Sequence, residues 1–228
     1  MEQLLRDLYG AIITENRWMM YLQGLSVTLL IAAAACVLGT IIGLLIAVIK
    51  IYTAGSSRPV LKALDAFANA YTTVIRGIPL MEQLLILWGL MSISHTGVAI
   101  IGFGINSGAY VAEIFRSGIN SIDIGQMEAG RSLGLSQNST MRLIILPQAI
   151  KNILPALFNE FITLVKETSV AGYIAVSELT KVATAIKTRT FNLLPLYVAA
   201  LIYLFVVYLL TRIQKNMERR LARSDRGK

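Results

Sequence analysis

Between Gly24 and Ile49 the chain carries 26 consecutive uncharged residues, closed by Lys50. At ~1.5 Å per helical residue this run exceeds the ~30 Å hydrocarbon core of a bilayer, so it reads as a membrane-spanning helix and an ordinary water-soluble architecture is excluded. It is not a signal peptide, because the residues before it are acidic as well as basic (Glu2, Asp7, Glu15), it is too long, and Lys50 follows with no cleavage-like tripeptide. Composition agrees: 55% of the residues are hydrophobic and 15% charged, too apolar a balance for a soluble domain of 228 residues.

Further apolar segments at about 60–91, 98–115, 148–165 and 193–211 join the run at 24–49 to predict a single all-α membrane domain, 1–228, with five spans. The second is irregular. It carries Lys62, Asp65, Arg76 and Glu82, with Arg76-Gly77-Ile78-Pro79 in its middle. A Gly and a Pro so close break the helical ladder, which a membrane tolerates only where other helices or a water-filled cavity satisfy the freed groups. Five crossings place the termini on opposite sides, and lysine and arginine decide which is which. The segments Lys50 to Lys62, Arg116 to Lys151 and Arg212 to Lys228 hold 14 bases, whereas the N-terminal 23 residues, Ser92 to Gly97 and Ala171 to Asn192 hold 5. The expectation is an external N-terminus and a cytoplasmic C-terminus.

Several chemistries are excluded. The formal net charge of +8 is concentrated in a tail that directly follows a span, where anionic lipid headgroups account for it, so nucleic acid is not an expected partner. One cysteine (Cys36) and one histidine (His95) leave no disulfide framework, no Cys-rich zinc site and no two-His metal site. No nucleophile and base fall together, and no enzyme is expected. The one Gly-Lys pair, Gly227-Lys228, is no Walker A loop, so any ATP and magnesium belong to another subunit. Gly39 to Gly43 and Gly104 to Gly108 are small-xxx-small patterns that read as ordinary helix packing.

The loop at 116–147 has its own helical grammar. A short helix begins at Gly125-Gln126-Met127-Glu128, Gly134 stops it with a residue able to take positive φ, Ser136 or Ser139 caps a second helix, and Pro147 starts or kinks the next span. A helix-Gly-helix unit with small residues Ala129 and Gly130 fits a groove on another protein; the alternative is a well-capped surface linker.

The same stretch resembles the EAA signature of binding-protein-dependent ABC importer permeases. Glu128-Ala129-Gly130 is followed by three residues, Gly134, nine residues and then Ile144-Ile145-Leu146-Pro147. Gly130 stands where the second alanine is usual, a change that weakens a helix by about 1 kcal/mol or less. Gly24 to Thr28, Arg76 to Pro79, Asn106 to Tyr110 with Glu113 and Arg116, and Lys166 to Ser169 extend the resemblance to the polar amino acid group, which serves glutamine, histidine and arginine.

The resemblance implies a MetI-like type I importer permease in the bacterial inner membrane. It implies a homo- or heterodimer of permeases, an ABC ATPase that carries ATP and magnesium, and a periplasmic or lipid-anchored solute-binding protein that delivers a polar amino acid. In that picture Glu128, Ala129, Gly130, Gly134, Leu135 and Met141, closed by Pro147, form the ATPase-coupling element. An amino acid brings an ammonium and a carboxylate, so polar groups inside spans become pathway candidates: Glu160 for the ammonium, Arg76 for the carboxylate, then Asn106, Asn159 and Glu82. Arg76 paired with Glu82 or Glu160 as a helix lock is the competing reading. Lys166 and Glu167 fit either an external gate or an interfacial end. The rivals for the whole chain are another small solute on the same machine, a passive channel, and an anchor subunit without flux.

Overall fold

The structure is a computed structural model and describes residues 2–53 and 55–226. Gly227-Lys228 lies outside the described residues, as does Ala54 of the turn expected at 54–59. Among the described residues the regular elements are all helical: α1 (Glu2–Ile12), a 3-10 turn at Thr14–Asn16, α2 (Arg17–Thr53), α3 (Pro59–Gly77), α4 (Leu80–Leu90), α5 (His95–Asn120), α6 (Ile124–Ser132), α7 (Gln137–Thr140), a π-turn at Met141–Ile145, α8 (Leu146–Glu167), a 3-10 segment at Thr168–Ile174, α9 (Leu179–Thr190) and α10 (Leu194–Arg226). Four helical segments are long and apolar enough to cross a membrane, and α3 with α4 makes a fifth span if the pair counts as one. The interruption between them falls at Gly77-Ile78-Pro79, where proline has no amide to donate and biases the preceding residue away from helix. The amide of Gln83 bonds the Pro79 carbonyl and its side chain reaches the Ile78 carbonyl at 2.7 Å, so these two carbonyls at the break are satisfied within the chain.

The chain divides into two compact units. The first comprises residues 1–37, 78–104 and 161–212. Its core is Ile31, Ala32, Ala35, Leu84, Val98, Phe103, Leu164 and Ile174, all buried. Small residues allow this: a Cβ on Gly102 would stand 2.5 Å from Leu84 Cδ2. A second cluster gathers Tyr21 of α2, Leu179, Ala183 and Ile186 of α9, and Ala199 of α10. Those α9 positions recur at helical spacing, one buried stripe on an otherwise polar helix. Sequence periodicity expects only an outer segment at 171–192, because α9 is too short and too polar to announce a span.

The second unit comprises residues 38–77, 105–160 and 213–228. Here α2 lies against α5 through glycine. A Cβ on Gly39 would meet Ser107 Cβ at 2.8 Å, and one on Gly43 would meet Val111 Cβ at 2.6 Å. The small-xxx-small pattern of α2 is therefore used inside this chain. Helix α3 joins the same bundle by Tyr71, whose hydroxyl donates to the Ile105 carbonyl at 2.6 Å, and by Lys50 donating to Thr72 Oγ1 at 3.1 Å.

Candidate functional site: a capped loop and a cavity with an uncompensated carboxylate

The segment between α5 and α8 is built by local chemistry. Asp123 caps α6 by accepting from the Gly125 amide at 2.7 Å, satisfying a donor that the first helical turn leaves open. Gly134 then takes φ +85°, and the Leu135 amide bonds the Gly130 carbonyl at 3.1 Å. That six-to-one return closes the helix in the Schellman manner and requires the left-handed conformation. Ser136, not Ser139, caps α7: its Oγ accepts from the Ser139 amide at 3.1 Å. The π-turn leads without a break into α8, so Pro147, the second residue of α8, lies inside the helical run that begins at Gln137 and contributes no amide to its ladder.

Of the residues expected in a coupling element, Glu128, Ala129 and Gly134 are exposed, Leu135 and Met141 half-buried, and Pro147 exposed. Gly130 faces the other way. It is buried, and a Cβ there would lie 2.5 Å from Thr140 Cγ2 and 2.9 Å from its Oγ1. The departure from the usual alanine thus has a local cause: α6 rests directly on the start of the next segment, and Thr140, fully buried, takes the methyl's space. Gly130→Ala is expected to destabilise the chain by about 1–3 kcal/mol through overpacking, and Thr140→Ala in the same chain is expected to recover most of it. Thermal unfolding in detergent checks this; a single Gly130→Ala variant as stable as the parent contradicts the packing.

The second feature is an open cavity of about 450 Å³ lined by α5 and α8, with Tyr110, Glu113, Ser121, Asn152 and Glu160 among its walls. Two carboxylates reach it and their circumstances differ. Glu113 is paired with Arg116 at 2.7 Å, one turn along α5. Glu160 accepts from Ser107 Oγ at 2.7 Å, and no lysine or arginine among the described residues lies within ion-pair distance of it. Glu160 is therefore the acid of this cavity whose charge a ligand can still balance. Pro155 in the same helix cannot bond the Lys151 carbonyl, a local weakening one turn before Glu160.

Arg76, on the last turn of α3, stands with its guanidinium 5.2 Å from the centre of the Tyr110 ring, on whose edge the cavity borders. Arg76 is in neither of the ion pairs Arg17 with Glu15 and Arg116 with Glu113, and it is not locked to Glu82 or Glu160. Asn106 is buried on α5, while Asn159 on α8 and Glu82 in the first turn of α4 are exposed. Of the expected pathway residues Glu160 is in the cavity wall; Arg76 touches Tyr110, which lines it, but Arg76, Asn106, Asn159 and Glu82 are not themselves in the wall. Lys166 is exposed and Glu167 half-buried at the end of α8. His95 opens α5 with its ring edge-on to Trp88 at 5.9 Å. Sequence reading missed Asp123, Thr140 and the role of Ser107. An aspartate just before a helical run was a visible signal for the first, whereas the other two depend on contacts between distant parts of the chain.

Comparison with known proteins completes the site. The arginine transport system permease protein ArtQ of Bacillus subtilis is 40% identical over 211 residues, covering 90% of this chain and 93% of ArtQ. The putative glutamine transport system permease protein GlnP of Rickettsia felis is 37% identical, covering 87% and 91%. A crystal structure of an amino acid ABC transporter with histidines superimposes with a TM-score of 0.82 at 40% identity, over 88% of this chain and 94% of that one. The MetNI methionine ABC transporter, inward facing, shares the fold at a TM-score of 0.78 and 20% identity, over 92% and 99%. Residues 39–223 match the family described as the binding-protein-dependent transport system inner membrane component, and the chain belongs to it.

Proposed function

We propose that this multi-pass inner-membrane subunit carries a polar amino acid through the cavity at Glu160, driven by a partner ATPase that docks on the α6–α7 loop. The subunit performs no bond chemistry; in its family, ATP hydrolysis and solute capture belong to partner subunits. The observation that carries the reading is the unbalanced carboxylate of Glu160, fixed by Ser107 and sharing its cavity with the Tyr110 ring under Arg76. An ammonium at Glu160 and a carboxylate toward Arg76 match the two charges of an amino acid. The relatives named for arginine and glutamine support this class of solute.

Exposure supports a second permease copy. The apolar segment running from Gln137 to Ile174 is little buried inside the chain, yet its exposed positions include Asn159, which does not line the cavity. Amides facing hydrocarbon are costly, so a partner permease and the pathway between the two are the expected cover. The lysine and arginine distribution supports a cytoplasmic side for the α6–α7 loop and the C-terminal end of α10.

The test is uptake by proteoliposomes holding this chain with its ATPase and binding protein. Accumulation of labelled arginine or glutamine that requires ATP is the expected result. Flux down a gradient without ATP would favour a channel, and ATP-driven import of solutes lacking an amino acid's two charges would overturn the substrate assignment.

A further inference from the structure

Helix α9 belongs to neither the coupling loop nor the cavity wall. Its apolar stripe, Leu179, Ala183 and Ile186, is wholly buried against Tyr21 and Ala199. Its start is pinned from below. Glu178, fully buried, accepts from the Thr180 amide at 2.7 Å, the Lys181 amide at 2.6 Å and the Tyr203 hydroxyl at 3.1 Å. The Leu179 amide donates to Thr28 Oγ1 at 3.3 Å, and Gly24 lets α2 approach so closely that a Cβ would stand 3.0 Å from Leu179 Cα. Burial pushes the Glu178 carboxyl above the usual range, against the pull of these hydrogen bonds. The helix is thereby held on α2 and α10 as a rigid bracket.

What it presents outward is one sign of charge. Positions 181, 184, 185, 188 and 189 form the exposed stripe, with Lys181 and Arg189 at its ends and Lys187 on its flank. Small residues, Thr184, Ala185 and Thr188, lie between the cations. Both threonine hydroxyls already donate to carbonyls of their own helix, at 2.8 Å and 2.9 Å, so lysine and arginine supply the side-chain donors that remain. The one acid in the segment 175–192 is Glu178, which is buried. Three of the five bases counted on the external side of this chain stand on this helix, against the usual bias of basic residues to the cytoplasm.

We infer that the exposed basic face of α9 is the docking surface for an acidic face of the solute-binding protein. The inference rests on the importer reading above, and on α9 lying outside. The single sign of charge on α9 favours this occupant, because a cationic stripe on a fixed element steers and orients a partner that presents acids to it. Anionic lipid is the weaker match: an interfacial helix binds lipid by burying its apolar face among acyl chains, and here that face is already covered by the chain itself.

The experiment uses the intact transporter in nanodiscs and, as probe, the purified binding protein that drives uptake with arginine or glutamine. Thr188→Cys in a Cys36→Ser background is first labelled with a membrane-impermeant maleimide; labelling from outside is expected, and labelling only from inside overturns the proposal through its orientation. K181E/K187E/R189E is then compared with the parent and with K181R/K187R. The reversal is expected to slow association about tenfold or more at low salt and to flatten its salt dependence. Basal ATP hydrolysis and thermal stability should be unchanged, and the arginine-retaining variant should behave as the parent. Unaltered association of the reversed variant, in a transporter whose parent still imports, overturns the docking surface while leaving the importer reading intact. Sensitivity to anionic lipid content in place of binding-protein association assigns the stripe to headgroups and likewise overturns it. Absence of ATP-driven import in the parent is instead the failure of the importer reading.

Discussion

Gly134→Val is expected to reduce ATP-driven uptake by roughly a hundredfold while leaving the folded subunit in the membrane. Gly134 holds φ +85° with no atom within 4 Å of where a Cβ would be, so the substitution meets no clash and acts through the backbone alone. A β-branched residue in the left-handed region costs on the order of 1–2 kcal/mol or more. The loop relieves that cost by leaving the conformation, which breaks the Leu135-to-Gly130 closure and reorients α6, with its exposed Glu128 and Ala129, relative to α7. A docking element that no longer moves as one body cannot transmit ATPase closure. Gly134→Asn separates this from any general intolerance, because asparagine enters the left-handed region readily and is expected to keep most of the activity. Equal uptake by the valine and asparagine variants would contradict the account.

Glu160→Gln is expected to weaken transport strongly without unfolding the chain. The amide retains the bond from Ser107 Oγ and nearly the same volume, so packing is preserved while the charge is removed. Losing a charge-assisted hydrogen bond to an ammonium costs about 1.5–3 kcal/mol, which is roughly ten- to a hundredfold in apparent affinity for the amino acid. Ser107→Ala removes only the hydroxyl that orients the carboxylate and is expected to have the smaller effect. The KM for uptake, measured beside the melting temperature of each variant, checks both. A Glu160→Gln variant with the parent's KM would reduce Glu160 to a structural polar group.

What could be read without coordinates was what local chemistry decides. The interruption at Gly77-Ile78-Pro79 and the helix-Gly-helix grammar around Gly134 both depend on residues a few positions apart, and both stand where those residues put them. The family itself was legible because the spacing from Glu128 to Pro147 is a local pattern. Facing was not. Ala129 and Gly130 are adjacent small residues, but consecutive helical positions point about 100° apart. One is exposed and the other is pressed on Thr140, a contact ten residues away that composition does not encode. The bond between Ser107 and Glu160 joins residues 53 apart, and no periodicity announces it. Helix α9 did carry signals: a carboxylate at its N-cap and apolar residues at 179, 183 and 186. A helix this short and polar looks like a loop beside runs such as 24–49, so these signals do not stand out in the sequence.

The central claim is that the α6–α7 loop is where an ATPase takes hold. The most direct measurement is affinity purification of the tagged chain in mild detergent, followed by identification of its stoichiometric partners. An ABC ATPase is expected to co-purify with the parent chain and to be released by Glu128→Arg or Gly134→Val while the variants remain folded. An ATPase retained at parental stoichiometry by both folded variants, or no ATPase with the parent in any of several detergents, would contradict it.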